Sequence, residues 1–313
     1  MKRAGLALGA LLIFPAQAAA QTPPTLASQA LGVFGGSHPA ALSARSFTVR
    51  VVMKPFVPNE TAVLRVYRAN KKIRVKTLKF TPVADNTAGV ASLKVKSALP
   101  GTVTVKVSHK ATPTMPTLRA KTVRVQVVRP NAAPGASGPA VRLLQSKLAA
   151  LHYVVPRSGV YDPGTQRAVM AFRKVTGMAR TYAAGEDLFS ALLAGKGVFK
   201  VRHPNDGHHV EARLNSQVLA LIDHGEVQRI YVISSGKPST PTVQGKFSVY
   251  LKTPGTNAKG MVDSNYFIRG YAIHGYAEVP PYNASHGCLR VPVANARAIY
   301  DWLRIGDVVW VEP

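Results

Sequence analysis

The hydrophobic period changes twice along the chain, and this limits the architecture more than any other feature. From Ser46 to Val128 apolar residues alternate with polar ones: Phe47-Val49-Val51, Val63-Val66, Ile73-Val75, Leu93-Val95, Val103-Val105-Val107 and Val123-Val125-Val127. Period two with valine enrichment belongs to strands that bury one face. After the Pro- and Ala-rich stretch Arg129 to Gly135 the spacing turns helical. Val141, Leu144, Leu148 and Leu151 share one face, and Ala168, Val169 and Phe172 share another behind Thr165 as a cap. Leu188 and Leu192 mark a third helix. From about residue 198 the pattern returns to strands. Val210 to Leu214 and Gln217 to Ile222 flank a turn, then come Val227 to Ser234, Gly245 to Leu251, Tyr271 to His274 and Val308 to Val311, with one helix over Pro292 to Leu303.

The chain therefore reads as multidomain. About six or seven short strands in a segment of this length suggest an all-β immunoglobulin-like sandwich over 41–130. A linker at 131–137 leads to a small three-helix module over 138–197, and a β-rich α+β domain fills 198–313. Residues 21–40, rich in Pro, Gly, Ser and Ala, read as a flexible lead-in. Residues 1–20 read as a secretory signal: Lys2 and Arg3, an apolar stretch from Ala4 to Pro15, then Ala18-Ala19-Ala20 for cleavage. No cysteine stands at that cleavage point for a lipoprotein anchor, and no transmembrane anchor is legible in the mature region.

The formal charge of +26 is concentrated early. Residues 21–130 hold 18 Lys and Arg against two acids, Glu60 and Asp85. Arg74, Lys76, Lys94, Lys96, Lys106 and Arg124 occupy the polar positions of the strands. Outside the membrane the available polyanions are wall polymers and lipid headgroups, so an anionic cell-wall polymer is the expected partner and nucleic acid is not.

An exported chain with one cysteine cannot form an internal disulfide, so Cys288 is free, pairs between chains, or does chemistry. A thiol attacks only as thiolate, and an adjacent imidazole can take its proton. Two histidines qualify: His286, two residues before Cys288, and His274, from a separate strand. Gly287 permits close backbone approach to a substrate. His203, His208 and His209 lack a zinc-type spacing and read as a polar loop.

Longer strings narrow the choice. Ser285-His286-Gly287-Cys288-Leu289-Arg290, preceded by Ile273-His274-Gly275, resembles the signature of the YkuD-like L,D-transpeptidases. Ser234-Ser235-Gly236-Lys237-Pro238 and Pro241-Thr242-Val243-Gln244-Gly245-Lys246-Phe247 resemble that family's upstream run, with Val243 where proline is common. The ten residues between His274 and Ser285 are fewer than in the commonest form of the motif. Separately, Val141-Arg142-Leu143-Leu144-Gln145, Leu151-His152-Tyr153, Gly159-Val160-Tyr161-Asp162 and Phe172-Arg173-Lys174 resemble the three-helix peptidoglycan-binding module. That family usually has glycine at His152 and often glutamine at Arg173.

The resemblance implies an exported, wall-associated enzyme that needs no metal or cofactor and is susceptible to carbapenems. Cys288 would be the nucleophile, His274 the general base, and Gly275 the carbonyl that orients the imidazole. Backbone N–H groups around His286, Gly287 and Cys288 would form the oxyanion hole, and Ser285, His286 and Arg290 would shape the substrate pocket. The substrate would be a peptidoglycan stem peptide, joined to a second stem in a 3→3 cross-link. An L,D-carboxypeptidase using water as acceptor, and a non-catalytic wall-binding protein, stay open. The helical module is expected to localise the enzyme without entering the chemistry.

Overall fold

The computed structural model describes residues 22–36 and 38–313; the secretory signal read over 1–20 lies outside them. Ten strands come first: β1 (Thr25–Leu31), β2 (Ala40–Leu42), β3 (Ser46–Lys54), β4 (Thr61–Arg68), β5 (Lys71–Lys79), β6 (Thr81–Pro82), β7 (Gly89–Lys96), β8 (Gly101–His109), β9 (Leu118–Arg119) and β10 (Val123–Val128). They form two sheets, β1-β3-β7-β6 and β2-β10-β8-β4-β5, with β9 added on β8. The alternating valines explain the pairing of the sheets. Val49 and Val51 from one sheet, and Leu64, Val103, Val105 and Val125 from the other, fill a common core.

Two expectations for this region need correction. Residues 21–40 are not simply a flexible lead-in, because β1 pairs antiparallel with β3 from Thr25↔Lys54 to Leu31↔Thr48. The free edge of β3 offers unpaired backbone groups, and Leu26 is buried in the core; these outweigh the loop-like composition. Ile73 and Val75 are about half exposed, at 49% and 50%, and Leu78 alone of the nine residues of β5 is buried. This strand is an edge, and the facing sheet ends in the two-residue β6, too short to cover it.

Three helices follow: α1 (Pro139–Ala150), α2 (Pro163–Val175) and α3 (Glu186–Leu193). The cap of α2 is Asp162, not Thr165: Asp162 Oδ1 accepts from the Thr165 N–H at 2.8 Å and from its hydroxyl at 2.9 Å. Pro163 at the first helical position, where no N–H is needed, places the cap three residues earlier than expected. Buried Gln145 ties α1 to this turn, accepting from Gly159 N–H (2.8 Å) and donating to Val160 O (2.9 Å) and Thr165 Oγ1 (2.8 Å). His152 adopts φ +68°, which accounts for glycine being usual at that position.

The remaining strands are β11 (His209–Arg213), β12 (Val218–Asp223), β13 (Glu226–Val232), β14 (Gly245–Ser248), β15 (Leu251–Thr256), β16 (Val262–Ile268), β17 (Tyr271–Tyr276), β18 (Leu289–Pro292) and β19 (Val308–Glu312), with α4 (Val293–Trp302) between the last two. They make a five-stranded sheet, β13-β12-β11-β19-β14, and a four-stranded sheet, β15-β16-β17-β18. The unbroken apolar run of β12 is buried on both faces. Leu219 and Leu221 pack towards the four-stranded sheet and α4. Val218, Ala220 and Ile222, with Ile230 and Val232 of β13, pack against α2 and its neighbours. The helices therefore share a core with the five-stranded sheet and with Leu42 and Val128 of the N-terminal strands. They are part of the core itself: burying Val218, Ile222, Ile230 and Val232 contributes on the order of 6–12 kcal/mol. Among the described residues no helix is long and apolar enough to cross a membrane.

Candidate active site

β17 and β18 run parallel with Ile273↔Leu289 and His274↔Arg290 in register. Ile273 and Leu289 point into the core, so alternation sends His274 and Arg290 to the other face. Cys288 immediately precedes β18 and shares their side. His274, Cys288, Ser285, His286 and Arg290 line one cleft of about 430 Å³, together with Lys259, Met261, Gly270, Tyr271 and Tyr276.

His274 is buried, with Nδ1 2.9 Å from the carbonyl of Gly275. A carbonyl can only accept, so Nδ1 carries the proton and Nε2 is left as the basic nitrogen. Burial pulls the His274 pKa down, the Arg290 charge adds to this, and the Gly275 carbonyl opposes it. Burial pushes the Cys288 thiol up, while the Ala272 backbone, Arg290 and Lys259 pull it back. Both shifts favour a neutral thiol and a neutral imidazole in the cleft at rest. The thiol sits 3.8 Å from the carbonyl of Gly270. Gly275 is required sterically as well: a Cβ there would lie 2.6 Å from Ala296 Cβ of α4.

The turn into the nucleophile is braced from within. Ser285 Oγ donates to Cys288 O at 2.6 Å and accepts from Gly287 N–H at 3.0 Å. The Gly287 N–H thus holds the turn and is already engaged, which removes it from the expected set of oxyanion donors. Gly287 has φ +113°, and a Cβ there would lie 2.1 Å from the Tyr271 ring. The Ser234 to Thr242 run supports the turn from outside. Lys237 N–H and Thr240 Oγ1 donate to Ser285 O (2.9 and 3.1 Å), Ser285 N–H donates to Ser235 O (2.9 Å), and Thr242 Oγ1 accepts from Gly236 N–H (2.8 Å). His286 is exposed, with Nε2 3.3 Å from Lys237 Nζ. Arg290 lies 4.0 Å over the Tyr276 ring.

The other histidines have separate partners. His203 stacks on Trp310 and reaches Glu312 at 3.0 Å; His208 stacks on Trp302 and reaches Asp307 at 3.0 Å; His209 is 3.5 Å from Glu211. The sequence reading missed Lys259, Met261, Gly270 and Tyr271 as cleft residues. They come from the β15–β16–β17 meander, whose first two strands lack clean alternation; Pro254-Gly255 interrupts β15.

The model of the L,D-transpeptidase catalytic domain matches residues 207–311, and that of a peptidoglycan binding domain matches 137–192. A crystal structure of residues 123–326 of the L,D-transpeptidase from Xylanimonas cellulosilytica DSM 15894 is 34% identical over 59% of this chain and 98% of its own, with TM-score 0.56. The chain belongs to the L,D-transpeptidase family. A mutant L,D-transpeptidase from Enterococcus faecium is 27% identical over 40% of this chain and 62% of its own, with TM-score 0.31. No curated protein matches. The L,D-transpeptidase match contains the whole His274 to Arg290 stretch, and the two matched domains together associate the chain with peptidoglycan and the cell wall.

Proposed function

We propose that this L,D-transpeptidase forms 3→3 peptidoglycan cross-links through a thioester on Cys288. The supporting observation is the tautomer of His274: the Gly275 carbonyl holds Nδ1–H, which leaves Nε2 basic in the cleft that also contains Cys288. As Cys288 Sγ attacks the carbonyl of the third stem residue, Nε2 takes the thiol proton. Collapse of the tetrahedral intermediate breaks the amide bond. The proton on Nε2 passes to the departing D-alanine amine, and the thioester remains. The side-chain amine of a second stem then attacks the thioester, its proton leaves through His274, and the thiol is restored. The remaining backbone N–H groups of the turn, those of His286 and Cys288, stabilise the oxyanion. Arg290, Lys259 and Lys237 give the cleft a positive rim that suits stem carboxylates. No step uses a metal or cofactor.

In this proposal the chain is exported and carries an immunoglobulin-like sandwich over 41–130, a wall-binding helical module over 138–197 and a catalytic domain over 198–313. The exposed cations of β5, Lys71, Lys72, Arg74, Lys76 and Lys79, support contact with anionic wall polymers. Mass spectrometry of products from purified muropeptides tests the reaction. Cross-linked dimers are expected; tripeptides without dimers would make the protein an L,D-carboxypeptidase, and no product would leave a wall-binding protein.

A further inference from the structure

A second cleft, of about 450 Å³, lies where the helices meet the catalytic sheet. Its volume is in the roughly 300–1,000 Å³ range of small-ligand sites. Met170, Val232, Val279 and Pro280 give it apolar walls, and Arg167 and Lys174 give it two cations; no acidic side chain lines it among the described residues. Arg167 is half-buried and makes no hydrogen bond or ion pair among the described residues. Its nearby acid, Asp162, is committed to Thr165 and Ser158 at the start of α2. Lys174 Nζ, almost fully buried, donates to the carbonyls of Gln217 (3.1 Å) and Ile233 (3.0 Å). An ammonium has three hydrogens, so these bonds leave one. Burial without a carboxylate partner pulls the Lys174 pKa down to about 7.

Two cations with no carboxylate among the lining side chains thus stand beside an apolar wall. A planar guanidinium suits a carboxylate, which it can grip with two parallel bonds. A phosphate within a hydrophilic polymer would gain nothing from the valine, methionine and proline surface, whereas a short peptide ending in a carboxylate uses both. We propose that this cleft binds the C-terminal carboxylate of a second stem peptide, apart from the one acylated at Cys288. The inference rests on the reading of the Cys288 cleft as the stem-acylating site. The two clefts share Tyr276, which lines both. Pro280 and Pro281 in the wall belong to the segment joining His274 to Cys288. Arg180, arriving with the helices, donates to Pro281 O at 2.6 Å and to Asn215 O at 3.0 Å. A stem held here is therefore in contact with the segment that leads to the nucleophile.

Each cleft contains one methionine, Met170 in the second and Met261 in the first. The full chain with Cys288→Ala, labelled with ¹³C at the methionine methyls, is titrated with a D-alanine-terminated tetrapeptide stem, its C-terminal amide, and free D-alanine. The free-acid stem should move both resonances, with separate midpoints. Amidation, or Arg167→Gln, should weaken the Met170 response about tenfold, the scale of one charge-assisted bond. Arg167→Gln should leave the Met261 midpoint in place. A Met170 signal that stays still while Met261 saturates would overturn the proposal. So would an amide as effective as the acid, or D-alanine alone matching the stem. A moving Met170 with a silent Met261 would support the second cleft and count against the first reading.

Discussion

Gly287→Ala gives a quantitative test of how the turn presents the thiol. The new Cβ would lie 2.1, 2.7 and 2.9 Å from three atoms of the Tyr271 ring, whereas carbon atoms rest at about 3.5–4.0 Å. Tyr271 begins β17 and is paired with Ile268, so its backbone is held and the ring must swing. Relieving such an overlap costs about 1–3 kcal/mol. The φ of +113° adds a further cost of about 1–3 kcal/mol for a residue with a side chain. The sum, about 2–6 kcal/mol, is to be read from denaturant unfolding. A displacement near 1 Å beside the nucleophile should also slow acylation by about 100-fold, followed as covalent carbapenem adduct by intact-protein mass spectrometry. Gly287→Ala with Tyr271→Ala keeps the backbone strain and removes the overlap. Relative to Tyr271→Ala alone, glycine replacement should then cost about 1–3 kcal/mol. If the single variant unfolds and acylates like the parent, the turn has slack and the Tyr271 contact does not set the position of the thiol.

The remaining predictions concern the pair, the helices and the charged strands. Cys288→Ala should form no carbapenem adduct, and His274→Ala should fold yet acylate far more slowly. The parent's acylation rate should rise with pH through a midpoint below the ordinary histidine value of about 6.5, because burial lowers His274. In His274→Ala this limb should vanish and the rate should climb only towards the raised thiol pKa; a parental profile would reassign the base. Deleting residues 138–197 should yield insoluble protein, since it bares Val218, Ile222, Ile230 and Val232; a soluble, active truncation would show that the shared core is dispensable. Retention of the full chain on wall sacculi should fall steeply with added salt, because exposed cations act over only about 8 Å at physiological ionic strength; unchanged retention would exclude polyanion contact through β5.

Sequence was most informative where one local rule governed. The period-two valines between Ser46 and Val128 formed strands around a common core, and the run Val218 to Ile222 formed a strand, one that is covered on both sides. It misled where facing depends on a distant neighbour. Ile73 and Val75 alternate like buried residues, but no sheet covers them. Thr165 looks like a helix cap until Pro163 shifts the start to Asp162. Lys259 and Tyr271 meet Cys288 only after two irregular strands fold over, and their register shifts leave no periodic trace. The second cleft was invisible for the same reason: Arg167 and Pro280 become neighbours only when helices and sheet close on each other.

The core shared by helices and sheet has a mechanical consequence. A grip joined to its tool by a slack cord lets the tool sweep a sphere around each anchoring point. Here α2 is packed on β12 and β13, and Arg180 fastens the adjoining loop to Pro281. If the helices hold the wall, each grip offers the thiol at one offset and one orientation. Reach is then set by the protein, and bonds can form only where the polymer brings a stem to that place. The spacing of the links would carry the dimensions of the enzyme into the mesh, as a loom sets the pitch of its cloth.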